Sequence, residues 1–323
     1  MIKRVESCRI CGSTSGDGLS TILDFGYLPL ANALLDETDL NDPEPRFPLK
    51  TVFCAPCSLL QITESLDPEL LFREYVYLSG FSDSMKVHWR DLAEKTMAIY
   101  NVGRSSLVLD AASNDGYLLQ YFVRRGIPVL GIDPARNIAP VARSKGVRTS
   151  TEFLNLPLAR RIVAAGHRAD VFLANNVLAH VPDLNDFVAG IRLVLKDQGA
   201  AIIEVPYVRQ LVGNNQFDTI YHEHLYYFSL TALQKLFARH DLEIVRVNEL
   251  PVHGGTLQVH VRPQGTGAVA RRVDELLDEE AELGIDGPEY FRRFADAVRQ
   301  LREQLLDVMG DLKSNGRQIA AYG

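Results

Sequence analysis

Four cysteines fall as two Cys-x-x-Cys pairs, Cys8/Cys11 and Cys54/Cys57, with none left over. A pair spaced this way in a tight turn puts two thiolates on one side of an ion, and two pairs complete the tetrahedron that zinc prefers. No histidine stands near either pair in the sequence, so the expected centre is all-thiolate, closed to substrate and structural rather than catalytic. Buried free thiols and a redox-active pair are the alternatives, and the paired spacing weighs against both.

A second set of residues closes apolar runs. In VLDAASNDGYLL, Asp110 ends a strand-like run and is followed by small residues, then Asn114, Asp115 and Gly116, just before a helix. Gly116 permits close approach, while Asn114 and Asp115 either cap that helix or contact a ligand. Asp133 ends the next run, where a carboxylate accepts both hydroxyls of a ribose. Its alternative is to cap a helix opened by Pro134. Asn175 and Asn176 end a third run, where amides meet an adenine or an acceptor. Together these strand ends describe a nucleoside crevice. The turn lacks the spaced glycines a pyrophosphate needs, so a cofactor without phosphates fits better than NAD.

The third set is Tyr221, His222, Glu223 and His224, in a polar and aromatic stretch soon after the AAIIEVP run. Loops at that edge of a sheet carry function. His222, His180 and His253 read as structural or loop histidines, and Tyr75 and Tyr77 could be packing residues bonded to backbone.

The elements that position these groups form an α/β pattern. From Ser105 to about Arg262, SLVLD, PVLGID, DVFLANN and AAIIEVP alternate with amphipathic stretches, as in a mainly parallel doubly wound sheet covered on both faces. LEIVRVNEL and TLQVHVRP follow without a full helix between them and predict an antiparallel hairpin at the sheet edge. Residues 1–80 are short, turn-rich and poor in core, which fits a zinc-binding domain; a helix over 84–100 opens a domain spanning 81–263. In a C-terminal segment spanning 264–323, residues 268–314 predict two charged helices divided between Gly284 and Pro288, with Leu276, Leu283, Phe291, Phe294, Val298, Leu301, Leu305 and Met309 apolar. GRQIAAYG then looks like the start of a further α/β unit.

The chain has 323 residues and a formal net charge of -7, with no block of Lys or Arg. That leaves no footprint for nucleic acid or an anionic membrane surface. No apolar run is long enough to cross a bilayer and none follows the N-terminal basic residues, so a cytoplasmic protein is expected, as a monomer or weak homo-oligomer.

In order along the chain, CRICG with CAPC, EYVYLSGFSDSM, SNDGYLL, GIDP, NNVLAHVPD, FDTIYHEH and LPVHGGTLQVHV resemble the NDP-sugar 3-C-methyltransferases of deoxysugar biosynthesis. The resemblance implies a class I methyltransferase fold using S-adenosylmethionine, with methyl transfer to C3 of a nucleotide-linked 4-keto-6-deoxyhexose. The ketone acidifies C3, so such an enzyme needs a base there and donors for the enolate oxygen. By resemblance His224 is the base, Tyr221 and Tyr77 supply hydroxyls, and Glu223 orients them or holds substrate. Ala112 stands where relatives commonly have glycine, and the family's C-terminal α/β domain is begun but not completed before Gly323. A methyltransferase acting on oxygen or nitrogen of another metabolite, and a non-catalytic interaction module, are the competing readings.

Overall fold

The computed structural model describes residues 2–320. Its centre is a seven-stranded sheet made of β1 (Val108–Ala111), β2 (Val129–Ile132), β3 (Thr149–Ser150), β4 (Ala169–Asn175), β5 (Leu195–Pro206), β6 (Leu242–Leu250) and β7 (Thr256–Pro263). The spatial order is β6-β7-β5-β4-β1-β2-β3. The strands from β3 to β5 pair in parallel, and β7 runs antiparallel to both β5 and β6. The parallel strands are apolar along their length because helices cover both faces; Phe172, Leu173, Ile202 and Ile203 have no exposed surface. The expected hairpin is present, with β7 paired inward against β5 and β6 at the edge.

The helix expected over 84–100 runs Asp83–Ile99 and buries Trp89, Leu92, Ala93 and Thr96. The Leu156–Ala164 helix was not expected, although its start is legible: Asn155 accepts from the Leu158 amide and Pro157 sits in the first turn. The two C-terminal helices, Arg271–Leu283 and Pro288–Ser314, are separated by left-handed Gly284. Phe291, Phe294 and Val298 are buried, but Leu305 and Met309, expected as part of the same apolar stripe, are exposed. Residues 317–320 form no regular element, and the rest of the expected GRQIAAYG strand lies outside the described residues. Among the described residues no helix is long and apolar enough to cross a membrane.

The N-terminal 80 residues do not close a core alone. Their main sheet has the order Tyr226–Tyr227, Leu59–Ile62, Phe47–Cys54, Leu19–Leu28, so its edge strand comes from the segment following His224. Phe53 packs on Phe291 with ring centroids 4.8 Å apart, and burial of such a side chain contributes about 1.5–3 kcal/mol. The boundaries at 80 and 263 therefore separate stretches of sequence that share one hydrophobic core. Glu280, fully buried, ties the C-terminal helices to this body: it accepts from the Tyr207 hydroxyl, the Leu230 and Thr231 amides and the Thr231 hydroxyl. The two amides begin the Leu230–Ala238 helix, where a carboxylate is favoured.

Candidate active site and metal centre

Cys8 and Cys11 lie in a turn closed by the Gly12 amide donating to the Cys8 carbonyl, with Gly12 at a φ of 80°. Cys54 ends its strand, and Cys57 follows in the next turn. The four sulfur atoms lie within 4.8 Å of one another, and those of Cys11 and Cys54 are 3.7 Å apart. Tetrahedral zinc with Zn–S bonds of about 2.3 Å requires sulfur separations of about 3.8 Å. The donor set therefore fits zinc, and the burial of Cys8, Cys54 and Cys57 fits a structural ion. Arg9, between the first two cysteines, donates to the carbonyls of Ile62 and Glu64 and pins the knuckle to the sheet.

A cavity of about 940 Å³ opens at the carboxyl ends of β1, β2, β4 and β5. One half of its wall holds Asp133, Asn175 and Asn176. Asp133 accepts from the Ala135 amide and, across the gap between strands, from the Asn114 amide at 2.7 Å. It does not cap the following helix, which starts only at Ala139. Among the described residues the Asn175 carboxamide has no partner for either atom, nor has the Asn176 side-chain oxygen. Buried amides left this way on a cavity wall suit a ligand that offers both donors and acceptors, as a nucleoside does.

The other half of the wall holds Tyr75, Tyr77, His180, Tyr221, Glu223 and His224. The His224 ring is fixed at both nitrogens: Nδ1 is 3.0 Å from the Thr219 carbonyl and Nε2 is 3.1 Å from the Tyr221 hydroxyl. A carbonyl only accepts, so Nδ1 carries the proton and Nε2 presents its lone pair. Burial pushes His224 down to about 4, against the Thr219 carbonyl, so the ring is neutral near pH 7. Glu223 is raised by burial, opposed by Asn32, whose amide donates to it at 2.6 Å from the zinc-binding region.

A methyltransferase domain family model matches residues 84–247, a zinc binding domain model residues 8–72 and a C-methyltransferase C-terminal domain model residues 251–323. The C-methyltransferase NovU of Streptomyces niveus is 34% identical over 324 residues, spanning 100% of this chain and 76% of that protein. The chain belongs to the C-methyltransferase family. It is an S-adenosylmethionine-dependent methyltransferase with an N-terminal zinc-binding domain. A ubiquinone biosynthesis O-methyltransferase of Bartonella quintana (strain Toulouse) is 28% identical over 97 residues, 30% of this chain and 39% of that one. Magnesium protoporphyrin IX methyltransferase from Synechocystis PCC 6803, solved with bound SAM, aligns with a TM-score of 0.42 at 15% identity, covering 55% of this chain and 78% of that one.

The C-methyltransferase's cavity wall sorts the sequence-derived residues. Asp133, Asn175, Asn176, Tyr221, Glu223 and His224 all line it. Asp110 does not: it is wholly buried behind the wall, and both its oxygens lack partners among the described residues. Asp115 faces away and pairs with Lys145 at 2.8 Å. Gly116 also stands outside the wall; its φ of 74° and its packing on Val147 and Ala142 account for the glycine. Asn114 reaches the wall, but its carboxamide is committed to the backbone of Tyr77 and Ser79. Ala112, in the wall, has a φ of 54°, a conformation that glycine adopts without the cost of a Cβ.

Two further findings concern aromatic residues. Tyr77 is 52% exposed, whereas Tyr75 is the more enclosed hydroxyl, pushed up to about 12 by burial and then by Glu223. His180, read as structural, lines the cavity with its ring 5.0 Å from that of His224. Only the non-local pairing of the segments 178–180 and 221–225 reveals it, through the Leu225 amide bonded to the Ala179 carbonyl. His222 is structural as expected: its Nε2 faces the carbonyls of Phe47 and Pro48. His253 lines the cavity rim at a φ of 51°.

Proposed function

We propose that this C-methyltransferase acts at C3 of a nucleotide-linked 4-keto-6-deoxyhexose, with His224 as the base. The observation that carries the reading is the fixed tautomer of His224, whose Nε2 lone pair accepts from the Tyr221 hydroxyl in the wall of a pocket continuous with the cofactor half. S-adenosylmethionine supplies an electrophilic methyl group when bound. Asp133 would hold its ribose hydroxyls, and Asn175 and Asn176 its base or the acceptor.

His224 Nε2 takes the C3 proton as the Tyr221 hydroxyl turns from it to the enolate oxygen, and the Nδ1 proton bonded to Thr219 keeps the imidazolium oriented. A base held near 4 is weak, so removal of the proton depends on stabilising the enolate as it forms. Tyr75 and Tyr221 are the hydroxyls available for that. Glu223, held by Asn32, orients these hydroxyls or binds a sugar hydroxyl.

The wall contains six carboxylates and, among the described residues, no Lys or Arg. That composition favours a cationic cofactor and an uncharged sugar ring, and supports placing the diphosphate at the mouth or outside.

The test is hydrogen exchange at carbon. With a thymidine-diphosphate-linked 4-keto-6-deoxyhexose in deuterium oxide, C3 should take up solvent deuterium without methyl donor, and His224→Ala should lose that exchange while still binding S-adenosylhomocysteine. Absence of exchange together with an O- or N-methylated product would overturn the reading.

A further inference from the structure

Residues 73–82 cross the carboxyl ends of β1, β2 and β3 without regular secondary structure. Tyr75, Val76 and Tyr77 from this strap line the cavity, yet Val76 and Phe81 remain 79% and 85% exposed. A segment that buries so little apolar surface must be held by something else. Polar contacts from the two cofactor-side loops do so.

The Asn137 carboxamide makes two hydrogen bonds to one residue: its Nδ2 donates to the Tyr75 carbonyl at 2.8 Å and its Oδ1 accepts from the Tyr75 amide at 3.1 Å. Asn114 repeats the arrangement one step along, its Nδ2 donating to the Tyr77 carbonyl at 3.1 Å and its Oδ1 accepting from the Ser79 amide at 3.0 Å. The strap then passes Asp115 at Gly80, where a Cβ would collide with the carboxylate that Lys145 holds. Each amide thus serves the strap as a neighbouring strand would. Asn114 also donates its backbone amide to Asp133, so one residue joins the ribose-side carboxylate to the tyrosine strap.

We propose that Asn114 and Asn137 are positioning residues, clamping the 75–79 backbone over the cofactor cavity and so setting Tyr75 and Tyr77 in its wall. The consequence for turnover rests on the reading of Tyr75 as an acceptor-facing hydroxyl; the clamp itself does not. Neither asparagine needs to touch substrate, and each acts through the strap it holds.

The full-length chain carrying Asn137→Ala, Asn114→Ala or Asn137→Asp is compared with wild type by amide hydrogen exchange, with and without S-adenosylhomocysteine. Losing a two-bond clamp should speed exchange over residues 73–81 by about tenfold or more in each alanine variant. Asn137→Asp, which keeps the acceptor and loses the donor, should fall between, which also covers an alanine variant that folds poorly. With the ketosugar probe, Asn137→Ala should lower kcat by about tenfold, leave KM for S-adenosylmethionine within about twofold, and add little to the loss in Tyr75→Phe. Unchanged exchange over 73–81, or a turnover loss that adds fully to that of Tyr75→Phe, overturns the proposal. If wild type does not process the probe, or Tyr75→Phe is fully active, the acceptor reading fails and the exchange arm still decides the clamp.

Discussion

The rings of His180 and His224 meet edge to face at 5.0 Å in the cavity wall, and burial holds both well below the ordinary histidine range, to about 3 and about 4. For His180 the neighbouring His224 adds to the effect. Two imidazoles so close and so dry stay neutral together, because protonating either places a charge where water cannot solvate it.

The first prediction is a displaced pH profile. A base works unprotonated, and His224 protonates only near 4 in the folded enzyme, so the acid limb of kcat/KM should lie near 4 rather than 6.5. Activity should hold from pH 8 down to about pH 5, where an ordinary histidine is almost wholly protonated. A rate that halves near pH 6.5 would show that His224 is not the base.

Asp110 offers a prediction about stability. Burial first, and Asp133 second, raise its carboxyl well above the usual range. The folded chain therefore binds this proton more tightly than the unfolded one, and at pH 7 the group opposes folding by an amount that shrinks as pH falls. Asp110→Asn should raise the melting temperature at pH 7 in the absence of cofactor, with the gain over wild type declining towards pH 5. A lower melting temperature at pH 7 would mean that the carboxylate has a partner that stabilises it.

Asn32 reaches the site from the zinc-binding region, and its 2.6 Å bond is the Glu223 carboxylate's one side-chain partner among the described residues. A hydrogen bond to a charged group contributes about 1.5–3 kcal/mol. Asn32→Ala should lower turnover by about tenfold or more while leaving the calorimetric affinity for S-adenosylhomocysteine within about twofold.

Removing zinc should cost activity as well as folding. The strand Tyr226–Tyr227 pairs with Leu59–Ile62, which pairs with the strand ending in Cys54. His222 adds contacts to the backbone of Phe47 and Pro48. Chelation, or Cys54→Ser, should release about one ion per chain and lower stability, with methyl transfer lost in parallel. Full activity after complete loss of zinc would disconnect the two centres.

Much of the molecule is written locally. Cysteine spacing determined the metal centre because a knuckle is a turn of a few residues. Apolar runs alternating with amphipathic ones determined the parallel sheet because periodicity reports which side of an element meets the core. Polar residues at strand ends marked Asp133, Asn175 and Asn176, since in this topology the carboxyl ends of the strands form one rim.

What the tertiary structure alone decided is which partner each polar group found. Asn114 and Asp115 have the types and the place of ligand contacts, yet they seat a strap that arrives from about 35 residues earlier. Asp110 falls behind the wall, Tyr75 is more enclosed than Tyr77, and His180 joins His224. The residues after Tyr221 divide between the cavity and the zinc-binding sheet. A hydrogen bond across tens of residues depends on the register of packed elements, and no local pattern carries that register.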